Sequence, residues 1–410
     1  MNSSVLWIWL SLPLLWLAMV AVVVLWYRRD IGRLWREPVL KHPVLVLESD
    51  DWGAGPPCQA TALDEIAAVL RRYRDSAGRL PVVSLAVVLA VPDGRAIGED
   101  GSSYRRVCLD EPPLAAVLDA LKRGEAEGTF SLQLHGLEHF WPETLMASAD
   151  LQVRVWLRQP LPASTELLPS HLQSRWTDAS SLPSVPLPDE SVQRVVKEEI
   201  EVYARAIGRM PTVVVPPTFV WTPAVEHAWV AHGIECLITP GYRYTSRAAD
   251  GTSVADDARF ANGDSAAGVT YLVRYDYFEP ARGRDADYSL LALRRASSEG
   301  RPCVLENHRA NFCEAPAVRA HSLQELDKLY ANALTLMPDI RFLSSIDLFR
   351  IFKDRDAHWI VVRWRERFPY IWQRLRHTGR LWKFLRLSGA ALLGESLLRW
   401  TPRIPGKAHA

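Results

Sequence analysis

Short apolar runs and amphipathic stretches alternate along most of this 410-residue chain. Residues 44–47 form an unbroken aliphatic run, the pattern of a strand buried on both faces, as in parallel sheets. That run leads into Glu48-Ser49-Asp50-Asp51-Trp52-Gly53. Residues 62–73 then place Leu63, Ile66, Val69 and Leu70 on one helical face. Further strands are predicted at 81–90, 129–134, 212–215, 234–238, 270–274, 303–306 and 341–343. Helices are predicted at 114–122, 192–207, 223–232, 323–334 and 346–352. This alternation predicts an α/β fold, a distorted (β/α) barrel of about seven parallel strands. Polar clusters follow the strands closely, and the carboxyl edge of a parallel barrel is where such folds build their sites. Residues 142–188 are rich in Pro and Ser and too long for an ordinary connection, so they read as an insertion beside that edge.

The two ends break the pattern. Residues 5–26 carry no charge, and about 20 such residues suffice to span a bilayer. No basic segment precedes the stretch and no clear small-residue cleavage site follows it, so it reads as an uncleaved N-terminal transmembrane helix rather than a signal peptide. Arg28, Arg29, Arg33, Arg36 and Lys41 follow. The excess of cations on that flank puts the main domain on the cytoplasmic side of a bacterial-type inner membrane, in a single-pass protein. Beyond residue 355, Arg363, Arg365, Arg374, Arg376, Arg380, Lys383 and Arg386 interleave with Trp359, Trp364, Trp372, Trp382 and Trp400. This is the pattern of a basic amphipathic C-terminal tail lying on an anionic membrane surface. The expected organisation is an anchor at 1–27, a basic linker at 28–41, the barrel at 42–354 and the tail at 355–410. A net charge of +1 excludes a generally nucleic-acid-binding surface. The five cysteines show no CxxC spacing and read as free thiols.

Within this frame two clusters carry chemistry. Asp50 and Asp51 are adjacent at a strand end. Strand neighbours point to opposite faces, so the two acids share a site only where the strand gives way. His135 and His139 follow another strand, four residues apart. On a helical turn both imidazoles share a face and can hold one cation. With Asp51 as third ligand the site keeps room for a water, and Asp50 is then the base that takes its proton. The segment His135-Gly136-Leu137-Glu138-His139 also matches H-x-x-E-H, the motif of a zinc peptidase with Glu138 as base.

The ordered set of clusters resembles the polysaccharide deacetylase family, the NodB-homology or carbohydrate esterase 4 type, over roughly residues 42–354. Asp50-Asp51 is similar to its first motif and His135/His139 to its second. Residues 212–217 resemble its strand into a Pro-Pro turn, and 305–308 its last motif. The resemblance implies Asp50 as base, His308 as general acid, and Asp51, His135 and His139 as ligands of a divalent metal, Zn²⁺. Flanking residues Trp52, Trp141, Pro217, Trp221, Arg309 and Asn311 become candidates for substrate contact. The implied activity removes N-acetyl or O-acetyl groups from a glycan or a lipid-linked sugar at a membrane, with no nucleic acid involved. The chain departs from the family at Val215, where an arginine that orients the base is expected, at Gly136, and at Thr218-Phe219. Arg243, Arg274 and Arg309 are the candidates to replace that arginine. Its loss also supports an alternative, a non-catalytic membrane-tethered glycan-binding or scaffolding module.

Overall fold

In the computed structural model the parallel strands are β1 (Val44–Gly53), β2 (Val83–Val88), β3 (Phe130–Leu134), β4 (Val213–Val214), β5 (Cys236–Thr239), β6 (Val269–Val273), β7 (Asp276–Tyr277) and β8 (Cys303–His308). Residues 3–101, 103–160 and 164–401 are described, with side chains from residue 11 on. Residues 1–2 of the expected anchor and 402–410 of the expected tail lie outside the described residues. Across the sheet the order is β6-β5-β4-β3-β2-β1-β8-β7. The short strand Ser265–Ala266 pairs antiparallel with β6, and Arg341–Phe342 pairs parallel with β1, completing a ten-stranded sheet. The result is mixed α/β with a largely parallel sheet. Its order is that of a distorted barrel left open at a seam between β6 and β7.

The longer helices, in chain order, are α1 (Ser3–Trp26), α2 (Arg28–Arg36), α3 (Gln59–Leu70), α4 (Ala115–Ala126), α5 (Asp189–Ile207), α6 (Pro223–Ala231), α7 (Ala286–Ser298), α8 (Pro316–Leu336), α9 (Ser345–Lys353), α10 (Trp364–Arg376), α11 (Arg380–Leu387) and α12 (Ala390–Leu398). Helix α7, capped by Asp285 accepting from Tyr288 N, was not legible as a periodic stripe. The antiparallel hairpin of Tyr242–Arg247 with Ser253–Arg259 was also missed, because its residues are half-exposed and mostly polar.

Every residue of β1 is buried, and its alternation explains the site. Leu45 and Leu47 face the outer helices, in one cluster with Ile66 of α3 and Leu121 of α4. Val44 and Val46 point the other way, packing with Val213, Ile238, Leu272, Val304 and with Leu348 and Phe349 of α9. Two and four residues further along that same inner face come Glu48 and Asp50. The barrel interior is thus apolar at its amino end and acidic toward its carboxyl edge.

The insertion holds two short helices, Pro142–Ala147 and Leu151–Leu157. Its own apolar cluster is built on Phe140, Leu145, Trp156 and Leu168. At the amino end, no single helix among the described residues is long and apolar enough to cross a membrane. Residues Ser11–Trp26 and α2 meet that length and apolarity only as a pair bent by 65°. At the start of the tail, α10 is docked on the domain by one face. Arg374, 1% exposed, donates to the carbonyl oxygens of Leu34, Glu37, Pro38, Glu299 and Gly300. Tyr370 and Ile371 pack on Val39 and Val361 beside it.

Candidate metal and catalytic site

Strand β1 does not end at the acid pair. It runs on to Gly53, but its pairing with β2 slips between Ser49 and Trp52. Asp51 there has φ +71°, a left-handed backbone that a non-glycine residue adopts at a cost of about 1–3 kcal/mol. This bulge lets neighbouring acids share a site. Asp50 keeps its inward direction, and Asp51 is turned toward the histidines. Gly53 follows at φ +103°, and a Cβ on it would lie 2.4 Å from Val88 O, so only glycine fits the exit.

Asp51 Oδ1 lies 3.4 Å from His135 Nε2 and 3.3 Å from His139 Nε2. The two imidazole centroids are 4.9 Å apart. His135 directly follows β3, and its Nδ1 is 2.7 Å from Val215 O. With Nδ1–H donating there, the Nε2 lone pair is turned into the site, the orientation a metal-ligating histidine takes from its outer partner. No helical turn forms over 135–139. The chain bends instead, through Gly136 at φ +90°, where a side chain would press on Glu138 O at 3.2 Å and Pro217 Cγ at 3.3 Å. Leu137 N donates to Glu199 Oε2 of α5, fixing the bend from behind.

These three residues fit a divalent cation. Their ligand atoms lie within 4.8 Å of one another, all three are buried, and Asp51 Oδ1 accepts no hydrogen bond among the described residues. Burial pushes the Asp51 carboxyl up, but His139 and His135 outweigh it and hold it well below the usual carboxylate range. Burial pushes His139 down to about 4, so it is a neutral, ligand-competent imidazole at pH 7. His135 is drawn the other way. Burial opposes its charge, yet Asp50 and Asp51 raise its pKa. The acids call for positive charge between the two rings.

Asp50 is a separate centre. Arg274 grips it bidentately, Nη1 on Oδ2 at 2.6 Å and Nη2 on Oδ1 at 2.8 Å. Of the three arginines considered, Arg274 is therefore the one that holds Asp50. Its position one residue past β6 puts it at the open seam of the barrel. Arg243 is taken by Glu226 and Asp256. Arg309 is taken by Glu166 at 2.6 Å and Ser164 at 3.1 Å. Arg274 Nε also donates to Glu48, and Glu306 lies 3.7 Å from Nη1. Burial raises the Asp50 pKa, but Arg274 outweighs it and the carboxyl stays below its ordinary range.

In the β1–β8 register Asp50 sits beside His308 and Glu48 beside Glu306. Parallel neighbours are about 4.8 Å apart, so the acid pair and the histidine face one space. The His308 side chain is 26% exposed, more open than the other site residues, and its Nδ1 lies 2.6 Å from Glu279 Oε1. Asn311 Nδ2 donates to the other Glu279 oxygen at 2.6 Å. Burial opposes the imidazolium, but Glu279 and the two aspartates outweigh it and push His308 up to about 10.

Other expected residues are elsewhere. Trp52, Trp221 and Asn311 have no exposed surface, so none of them touches a substrate. Trp52 Nε1 donates to Ser49, and Trp221 stacks on Phe260. Trp141 packs under Arg175, Pro217 covers Gly136, and Arg309 pins Glu166 of the insertion. Aromatic residues beside a motif default to core, and these did. Glu138 is buried with Arg106 and Arg175, facing away from the two histidines. With no helix and no available glutamate, the zinc-peptidase reading falls. Arg274's role, Glu279 and Glu166 were not legible in the sequence. Arg274 and Glu279 lie just past short strands and Glu166 in the single 3-10 turn Thr165–Leu167, where no periodicity marks them.

Against known proteins, residues 156–278 match the model of glycosyl hydrolase family 57. No curated protein matches the chain in sequence. Among solved structures, it is similar to an inferred polysaccharide deacetylase from Mycobacterium smegmatis, at 9% identity and a TM-score of 0.39, over 80% of this chain and 97% of that one. It is also similar to the peptidoglycan deacetylase PdaC from Bacillus subtilis, at 12% identity and a TM-score of 0.36, over 77% and 95%. A third is 4-alpha-glucanotransferase from Thermococcus litoralis, at 12% identity and a TM-score of 0.39. There the match covers 87% of this chain but only 47% of the other.

Proposed function

We propose that the chain is a metal-dependent hydrolase that removes acetyl groups, N-linked or O-linked, from a glycan or lipid-linked sugar, with α1 as its membrane anchor and the barrel on the cytoplasmic side. One observation carries this reading. A buried Asp51/His135/His139 cluster lies beside two independently held proton-handling groups, Asp50 on Arg274 and His308 on Glu279. Asp51, His135 and His139 would hold a divalent ion, read as Zn²⁺. Bound there, the ion supplies Lewis acidity toward an acyl carbonyl and toward water. Asp50, kept ionised by Arg274, accepts the proton of the attacking water. His308, kept protonated by Glu279, gives a proton to the departing amine or alcohol. Acetate and the free sugar group leave. The non-catalytic alternative rested on Val215, and Arg274 removes that support.

Metal content tests the reading. The full chain should carry about one zinc ion per molecule, and acetate release from acetylated sugars should vanish on chelation and return with zinc. His139→Ala should lose metal and acetate release together. Hydrolysis persisting in metal-free protein would overturn the proposal, and metal binding with no acetate release would favour a binding module.

Glu279→Gln tests the acid. Without the carboxylate, the His308 pKa falls, so the alkaline limb of the pH–rate profile should move down by about a unit or more. An unmoved limb would exclude His308 as the proton donor.

A further inference from the structure

We propose that α12 enters the lipid bilayer beside α1, so that the tail is a second membrane-embedded element rather than a surface strap. This rests on α1 being the bilayer anchor. From Ser11 to Trp26, α1 is uncharged and largely exposed. Its half-buried positions are Trp16, Val20 and Val23, continued by Tyr27 just beyond its end, spaced as one helical stripe. Trp16 Nε1 donates to Ser388 O at 2.7 Å, which holds the α11–α12 junction against that stripe. Ten residues separate Trp16 from Trp26, about 15 Å of helix. The junction therefore lies beside the middle of the apolar helix, not at its charged end.

The orientation of α12 is set by α10. A Cβ on Gly394 would lie 2.0 Å from the Trp372 ring, so the two helices meet in close contact at that glycine. Ala391 is buried on the same side. Glu395 is the helix's one charge, and it is engaged by Arg376 and by Trp372 Nε1 at 3.1 Å. The opposite face carries Leu392, Leu393 and Leu397, exposed by 71%, 58% and 53%. Leu387 and Trp400 flank them and are more exposed still. A leucine-rich face, interrupted by Ser396 whose hydroxyl donates to Leu392 O, and joined to an uncharged helix, marks a surface built for a nonpolar environment.

The test uses the full chain with Leu393→Cys, in a Cys58→Ser background that removes the exposed native thiol. The chain is reconstituted in vesicles of phosphatidylcholine and phosphatidylglycerol. Reaction with a charged, membrane-impermeant maleimide is compared with that of Asp257→Cys in the same background, Asp257 being an exposed hairpin residue. Leu393→Cys should react roughly tenfold more slowly in vesicles, and the two should match once SDS is added. Equal rates in chains that float with the vesicles would overturn the placement of α12 and leave the α1 anchor standing. A chain that does not float would remove the anchor and this proposal with it.

Discussion

Asp50→Asn should leave the metal bound and cut acetate release by roughly 10²–10⁴-fold, the contribution of a positioned base. This change would leave the proposed ligands Asp51, His135 and His139 untouched, because the bulge turns Asp51, not Asp50, toward the histidines. Loss comes instead from basicity, since an amide cannot take a proton at neutral pH. One N–H of Arg274 would also face the new NH₂ group rather than an oxygen. Metal analysis and acetate release on the same preparation read the two effects separately. Full activity in Asp50→Asn would refute the base assignment, and simultaneous loss of metal would mean that the two acids share the cation.

Arg274→Met should be the most damaging single change to stability. It leaves Glu48, Asp50 and Glu306 buried around a missing counter-charge. Breaking a buried ion pair by removing one partner costs about 3–5 kcal/mol, a large share of the roughly 5–15 kcal/mol that stabilises a domain. The pH dependence gives a second signature. In the native chain Asp50 has a lowered pKa, so its contribution is present above the unfolded value and is lost as pH falls. In the variant Asp50 loses its stabilising partner and its folded pKa rises. The deficit should then narrow toward about pH 4, where protonation relieves it. Urea unfolding at pH 7 and pH 4 measures both. A deficit that stays constant with pH would show that packing, not charge, was lost.

Much of the site was written in strand ends. Asp50, Asp51, His135, His139 and His308 each follow a buried apolar run, and that pattern survives in the folded chain. The fold class was legible for the same reason, since alternating apolar runs and stripes specify a wound parallel sheet. Three features were not. Arg274 could not be told from Arg243 or Arg309, because the pairing of an arginine depends on which strands adjoin. The seam between β6 and β7 decided it. The aromatic residues beside the motifs were read toward substrate, yet they fill the barrel wall. Arg374 in the tail carries no pattern that separates an arginine on a lipid surface from one capped by five backbone carbonyls.

The bulge in β1 also orders the assembly of the site in time. The proposed cation ligands are residues 51, 135 and 139, all within the first 140 residues of the chain. The proton-handling half waits for Arg274 and for His308, and the 258 residues between Ser49 and Asn307 must emerge before β1 finds its second neighbour. At roughly 5–20 residues per second, that interval lasts tens of seconds on a ribosome. A nascent chain therefore passes through a stage at which Asp51, His135 and His139 have all been synthesised while Asp50 still lacks Arg274 and His308. Closure of β8 against β1 then brings His308 beside Asp50, so these contacts of the site form last.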